Sequence, residues 1–174
     1  AGDATAAAPP PVRDKTLVAW VSPANLTQRG GSALTLDDGR THFDGIVFGE
    51  LAPKKWMAGS DFFRRTQQAQ ETWPEEDVDP RSFVQIAIVY RGTEVAIYRN
   101  AMPYAKYTMA NPPQEFGPQA LVIFGRRHLD VTDPKSSFTG RIRDARIYDR
   151  PLDPAALEGL RPGATSPAAV PWAW

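Results

Sequence analysis

FVQIAIVYRGTEVAIYR, residues 83–99, decides the fold class. Val84, Ile86, Ile88 and Tyr90 fall on one parity. Successive side chains of an extended chain point to opposite faces, so these four share a face. Arg91-Gly92-Thr93 is a short loop containing glycine, and Glu94–Arg99 returns as a second strand. Two such runs around such a loop form a β-hairpin. Asn100–Pro103 then turns the chain again before Tyr104–Met109.

The same alternation of β-prone runs and turn signals extends in both directions. Downstream, Ala120–Gly125 (ALVIFG) is almost wholly apolar, which predicts a central sandwich strand covered on most sides. Phe138–Tyr148 closes the sheet. Phe138, Gly140 and Ile142 share one parity, whereas Ala145 and Ile147 take the other. That slip predicts a bulge near Arg143-Asp144, because an unbroken strand would put the two sets on opposite faces. Upstream, Thr16–Ser22, Ala33–Leu36, Phe43–Leu51 and Trp56–Thr66 read as strands, with Asp37-Asp38-Gly39 as a turn and Gly59 as a bulge candidate. Gln67–Arg81 holds five acids, Trp73 and two prolines without any period. It is a loop, either functional or a solvated crossover. One short helix is expected, with Asp153 capping, Pro154 at its first position, and Leu157 and Leu160 three apart. The fold class is therefore all-β: a two-sheet antiparallel sandwich with one short C-terminal helix.

Composition bounds the chemistry. The 174 residues suffice for one core without staples, and Lys plus Arg balance Asp plus Glu at zero formal net charge. Nucleic acid and anionic membranes call for a basic surface, so neither is expected as a partner. No apolar run reaches the length of a membrane span. The absence of cysteine excludes disulfides, thiolate metal sites and cysteine nucleophiles. Residues 1–14 read as a linker or mature N-terminus, 15–161 as the folded domain, and 162–174 as a Pro/Ala-rich linker or tail carrying Trp172 and Trp174.

The string FTGRIRDARIYDRPLDPAALEGL, residues 138–160, resembles the closing strand and terminal helix of laminin-G-like and concanavalin A-like jelly-roll domains. The hairpin ending IYRN at residues 97–100 is similar to that family's central pair, which usually runs into Asn-Gly; Ala101 replaces the glycine. VFGE at 47–50, WMAGSD at 56–61, Arg65-Thr66 and GRRH at 125–128 look like the levan-binding modules attached to bacterial fructan-active glycoside hydrolases. The resemblance implies a jelly roll that does not cleave but holds an enzyme on its polysaccharide. It implies a secreted, periplasmic or cell-surface setting, an oligo- or polysaccharide partner and an adjacent catalytic domain. It requires no cofactor, and it allows a structural calcium ion on loop oxygens. Asp37, Asp38, Asp130, Asp133 and Asp144 are the candidate ligands, although no EF-hand spacing exists.

A sugar site needs directional polar groups for vicinal hydroxyls and often an aromatic face for the ring's C–H surface. Glu50 ends an apolar strand on the parity of Ile46 and Phe48. Asp61 and Arg65 share a parity farther along, and Arg126, Arg127 and His128 directly follow an apolar strand. These six, with Trp56 as a stacking platform, are the candidate ligand-binding residues. Each has a plainer reading: a solvated strand face for the charges, an Asp61–Arg65 ion pair, and core packing for Trp56. His42 and His128, the only histidines, lack metal-ligand spacing. Two other functions compete. A glycoside hydrolase of the same architecture would need paired carboxylates, and no Glu-x-Asp-x-x-Glu strand string occurs. A structural or adhesion module of a larger secreted protein would leave no sequence mark.

Overall fold

A computed structural model describes residues 11–129 and 133–165 of the chain. Residues 1–10 of the expected linker, residues 166–174 with Trp172 and Trp174, and Asp130 lie outside the described residues.

Two antiparallel sheets face each other. One contains β1 (Lys15–Pro23), β5 (Val84–Arg91), β6 (Glu94–Arg99), β7 (Met102–Thr108) and β9 (Gly140–Tyr148), in the order β7-β6-β5-β1-β9. The other contains β2 (Gly31–Asp37), β3 (Phe43–Phe48), β4 (Trp56–Ser60) and β8 (Leu121–Phe124), in the order β4-β3-β2-β8. Among the described residues one α-helix, α1 (Pro154–Gly159), starts where Asp153 accepts a hydrogen bond from the Ala156 amide at 2.7 Å. It ends at Gly159. Period two explains the layers. Leu17, Ala19 and Val21 of β1 point between the sheets with Ile86, Ile88, Ile46, Phe48 and Trp56. Val18 and Trp20 point the other way and are roofed by Leu152 and Leu157.

The hairpin of β5 and β6 has the register expected of it, with Arg91 opposite Glu94 across Gly92-Thr93. The β6–β7 turn keeps left-handed backbone at both Asn100 (φ 50°) and Ala101 (φ 61°), so alanine fills a conformation that glycine takes more readily. The bulge in the closing strand is present: Trp20 pairs with Asp144 and Val21 with Ile142, leaving Arg143 extra.

Three expectations are corrected. The apolar run of β8 is an edge strand paired only with β2, and Phe124 is exposed; hydrophobic content marks a strand without fixing its place in a sheet. Gly59 forms no bulge but pairs in register with Gly45. Glycine is required there by packing, since a Cβ would sit 2.4 Å from Val47 Cγ2. The strand from Trp56 stops at Ser60 rather than Thr66, and Asp61–Phe63 form a 3-10 turn.

Gln67–Arg81 crosses from one sheet to the other and is stitched down on the way. The carboxylate of Glu76, fully buried, accepts from Trp56 Nε1 at 2.7 Å and from Arg99 Nη2 at 2.7 Å. Lys55 Nζ donates to Gln70 O at 2.6 Å, and Tyr104 Oη donates to Pro74 O at 2.6 Å.

Candidate functional site

The sheet edge formed by the end of β4 and the loops after β3 and β8 carries the candidate site. Strand β3 ends at Phe48 because Gly49 takes φ 71°, a left-handed conformation that only glycine adopts without strain. The reversal cancels the parity read from Ile46 and Phe48, so Glu50 leaves the core and reaches the surface. Arg29 holds this turn, donating from Nε to Gly49 O and from Nη2 to Glu50 O at 2.9 Å. Gly125, with φ 72°, does the same for the end of β8 and swings Arg126-Arg127-His128 outward. The Arg127 guanidinium then pairs with the Glu50 carboxylate. His128 Nδ1 lies 3.0 Å from Asp37 Oδ2, and its ring meets Phe43 edge-on with centroids 4.6 Å apart.

Beside this pair lies an open depression of about 310 Å³. Phe43, Phe62 and Phe63 supply aromatic surface, and Glu50, Arg127 and His128 supply polar groups. The sequence singled out the polar groups but not Phe62, which is 83% exposed. Both Phe62 (φ 47°) and Phe63 (φ 56°) have left-handed backbone, rare for bulky residues and concentrated at functional sites. A signal was available. Two adjacent phenylalanines cannot both face the core of a period-two strand, so one had to face water. Phe63 packs against Phe43, Val47 and Met57, and Phe62 stays exposed with the Arg64 guanidinium 5.7 Å from its ring centroid.

Two candidates support this turn instead of facing a ligand. Arg65, only 4% exposed, donates to Asp44 Oδ1 at 3.1 Å, to Phe43 O at 3.1 Å and to Asp61 Oδ1 at 2.7 Å. It pins the turn that presents Phe62 onto β3. Asp61 borders the depression, but its carboxylate is committed to Arg65. Behind them, Lys15 Nζ sits 2.8 Å from Asp44 Oδ2 in an ion pair without exposed side-chain surface. Burial pulls the Lys15 ammonium below its usual pKa although Asp44 opposes it. Burial would lower Arg65 as well, but Asp44 and Asp61 outweigh it and raise its pKa.

Trp56 needs the clearest correction. It has no exposed surface, packs against Phe48 and Phe138, and donates its indole N–H to Glu76. A ring with no accessible face cannot stack on a ligand. Arg126 is exposed but does not line this depression.

Among the described residues, no three of His, Asp and Glu are grouped to hold a metal ion. Of the acids considered for calcium, Asp130 lies outside the described residues and the other four are engaged: Asp37 with His128, Asp38 with the amides of residues 40–42, Asp133 with the Lys135 amide and Asp144 with Arg146.

The family model of the concanavalin A-like lectin/glucanases superfamily matches residues 3–158. The chain belongs to that superfamily. Solved structures of similar fold include domain 4 of an extracellular arabinanase from Geobacillus stearothermophilus, in complex with arabinotriose. It has TM-score 0.61 and 17% identity, with 84% of this chain and 66% of that one covered. A putative carbohydrate-binding protein from Bacteroides ovatus gives TM-score 0.61 and 14% identity, with 91% and 44% covered. A heptameric pentraxin from Limulus polyphemus gives 0.57 and 13%, with 86% and 70% covered. At these identities the likeness establishes the fold alone. This chain spans 66% of the arabinanase domain and 44% of the Bacteroides protein, less than two thirds of each. No curated protein sequence matches it. Among the described residues, no helix is long and apolar enough to cross a membrane.

Proposed function

We propose that this superfamily member is a non-catalytic carbohydrate-binding module that holds an attached glycoside hydrolase on an extracellular polysaccharide. The observation that carries the reading is the juxtaposition of an exposed aromatic face, Phe62, with a Glu50–Arg127 pair and His128 around one open depression. A carboxylate accepts hydroxyl protons, a guanidinium donates in a fixed fork, and an aromatic face covers a sugar's C–H surface. These groups are aimed before any ligand arrives, which lowers the cost of binding at a shallow site. The carbohydrate-binding description of the Bacteroides neighbour and the arabinotriose bound to the arabinanase domain support a saccharide ligand. The fructan subclass rests on the VFGE, WMAGSD and GRRH strings.

Binding rather than cleavage is favoured by the two carboxylates at the depression. Glu50 is paired with Arg127 and Asp61 with Arg65, so both carboxylates at the depression are taken up by guanidinium groups rather than free to flank a glycosidic bond.

Isothermal titration against levan, inulin, fructose and arabinan tests the reading. Heat with levan or inulin supports the fructan assignment; heat with arabinan alone removes it and keeps the module. Arg127→Ala should weaken binding at least tenfold, because charge-assisted hydrogen bonds are worth roughly 1.5–3 kcal/mol. The partly exposed Glu50–Arg127 pair contributes at most about 1 kcal/mol to folding, so the melting temperature should move by only a few degrees. Unchanged affinity in this variant places the sugar elsewhere.

A further inference from the structure

We propose that the site continues across the Glu50–Arg127 pair into a second sugar subsite, so that the ligand is a chain of at least two sugar units. The inference rests on the saccharide reading above and adds to it the length of ligand recognised.

A second depression, of about 380 Å³, is lined by Arg29, Gly30, Glu50, Arg127, Asp133 and Lys135. It shares Glu50 and Arg127 with the first depression, so the ion pair forms the wall between them. The two differ in chemistry. The first has three phenylalanines, and the second has no aromatic ring in its lining. A ring stacked on Phe62 has its C–H face covered, and the neighbouring unit meets only charged groups, which engage it through hydroxyls. Glu50 and Arg127 face both units. That position suits the groups around a glycosidic link, where one acceptor and one donor fork serve two rings.

The second depression is also kept open. Gly30 takes φ 79°, and a Cβ there would lie 3.2 Å from Lys135 O and 3.8 Å from Glu50 Cγ, so a side chain would fill the space. The Lys135 ammonium makes no ion pair among the described residues, and its backbone is fixed by Asp133, whose Oδ1 accepts from the Lys135 amide at 2.9 Å. Arg29 spends its donors on the carbonyls of Gly49 and Glu50, which leaves Lys135 as the side chain to test without disturbing the Glu50 turn.

The experiment is a chain-length series by isothermal titration: fructose, β-2,6-linked difructose and trifructose, with arabinose, arabinobiose and arabinotriose in parallel. The expected result is at least tenfold tighter binding of the disaccharide than of its monosaccharide in one series. Lys135→Ala should weaken the disaccharide at least tenfold, the scale of one charged hydrogen bond, and leave the monosaccharide unchanged. Equal affinity for one unit and two, or an equal loss for both in Lys135→Ala, overturns the second subsite and leaves the saccharide reading standing. No heat with any of the six sugars overturns both.

Discussion

A phenylalanine that is 83% exposed and holds φ at 47° departs from two preferences at once. Left-handed backbone costs an L-residue roughly 1–2 kcal/mol, and glycine would escape that cost at an entropic penalty of roughly 0.5–1 kcal/mol. Phe62→Gly should therefore stabilise the fold by about 0.5–1 kcal/mol, raising the melting temperature by about 1–4 °C in a domain of this size. The same change should weaken sugar binding about three- to tenfold, since an aromatic face contributes on the order of 0.5–1.5 kcal/mol. Calorimetric melting beside titration checks both halves; a variant that loses stability and keeps its affinity would make Phe62 a structural residue. At this scale the sequence was legible in part. Glu50, Arg127 and His128 were visible because charged residues directly follow apolar runs. Trp56 was misplaced because alternation gives the face of a strand but not which face is covered. For Arg65 the plainer reading, an ion pair with Asp61, holds, but nothing local announces that Asp44, twenty-one residues earlier, receives it as well.

Strands set where those side chains go, and β4 shows how tightly. Gly59 lies between Met57 and the 3-10 turn, opposite Gly45, with Val47 filling the space a side chain would need. Gly59→Ala should cost about 1–3 kcal/mol, as overpacked cores do. Combining it with Val47→Ala should cost less than the sum of the two single changes, because the second substitution removes the colliding methyl. Urea denaturation of the four proteins measures that coupling, and additive losses would contradict the contact. Elements were more legible than residues. The parity slip in Phe138–Tyr148 located a bulge because a bulge is a local event. The end of β4 at Ser60 escaped notice because Asp61–Thr66 keeps a plausible alternation, and its turn is held by Arg65 bonding to Phe43 and Asp44 outside the segment. The edge position of β8 depends on which strands pair, a non-local outcome that apolar content does not encode.

At the scale of the whole molecule, the sandwich depends on the long crossover Gln67–Arg81 being fastened to both sheets, and Glu76 is its principal fastening. Its buried carboxylate joins the loop to Trp56 of β4 and Arg99 of β6. The sequence showed five acids in a loop and left its role open; that one of them is internal follows only from where Trp56 and Arg99 converge. Burial alone would raise the Glu76 pKa, but the hydrogen bonds from Arg99 and Trp56 outweigh it and hold the carboxyl below its ordinary value of 4.5. A carboxyl whose pKa is depressed in the folded state binds its proton more readily when unfolded. Its stabilising contribution is therefore complete above about pH 4.5 and is lost as pH falls through the lower folded value. Glu76→Gln removes the charge and leaves Arg99 without its buried partner. At pH 7 it should cost about 3 kcal/mol, the low end for breaking a buried pair, because Arg99 is partly exposed. Asp38 and Asp144 also have lowered pKa values, so the variant should still lose stability in acid. The gap between the two proteins should then be widest near neutrality and shrink steadily below pH 4.5. Urea titrations at pH 7, 5, 4 and 3 measure it. A gap that stays constant across that range would mean that Glu76 acts through its shape and not its charge.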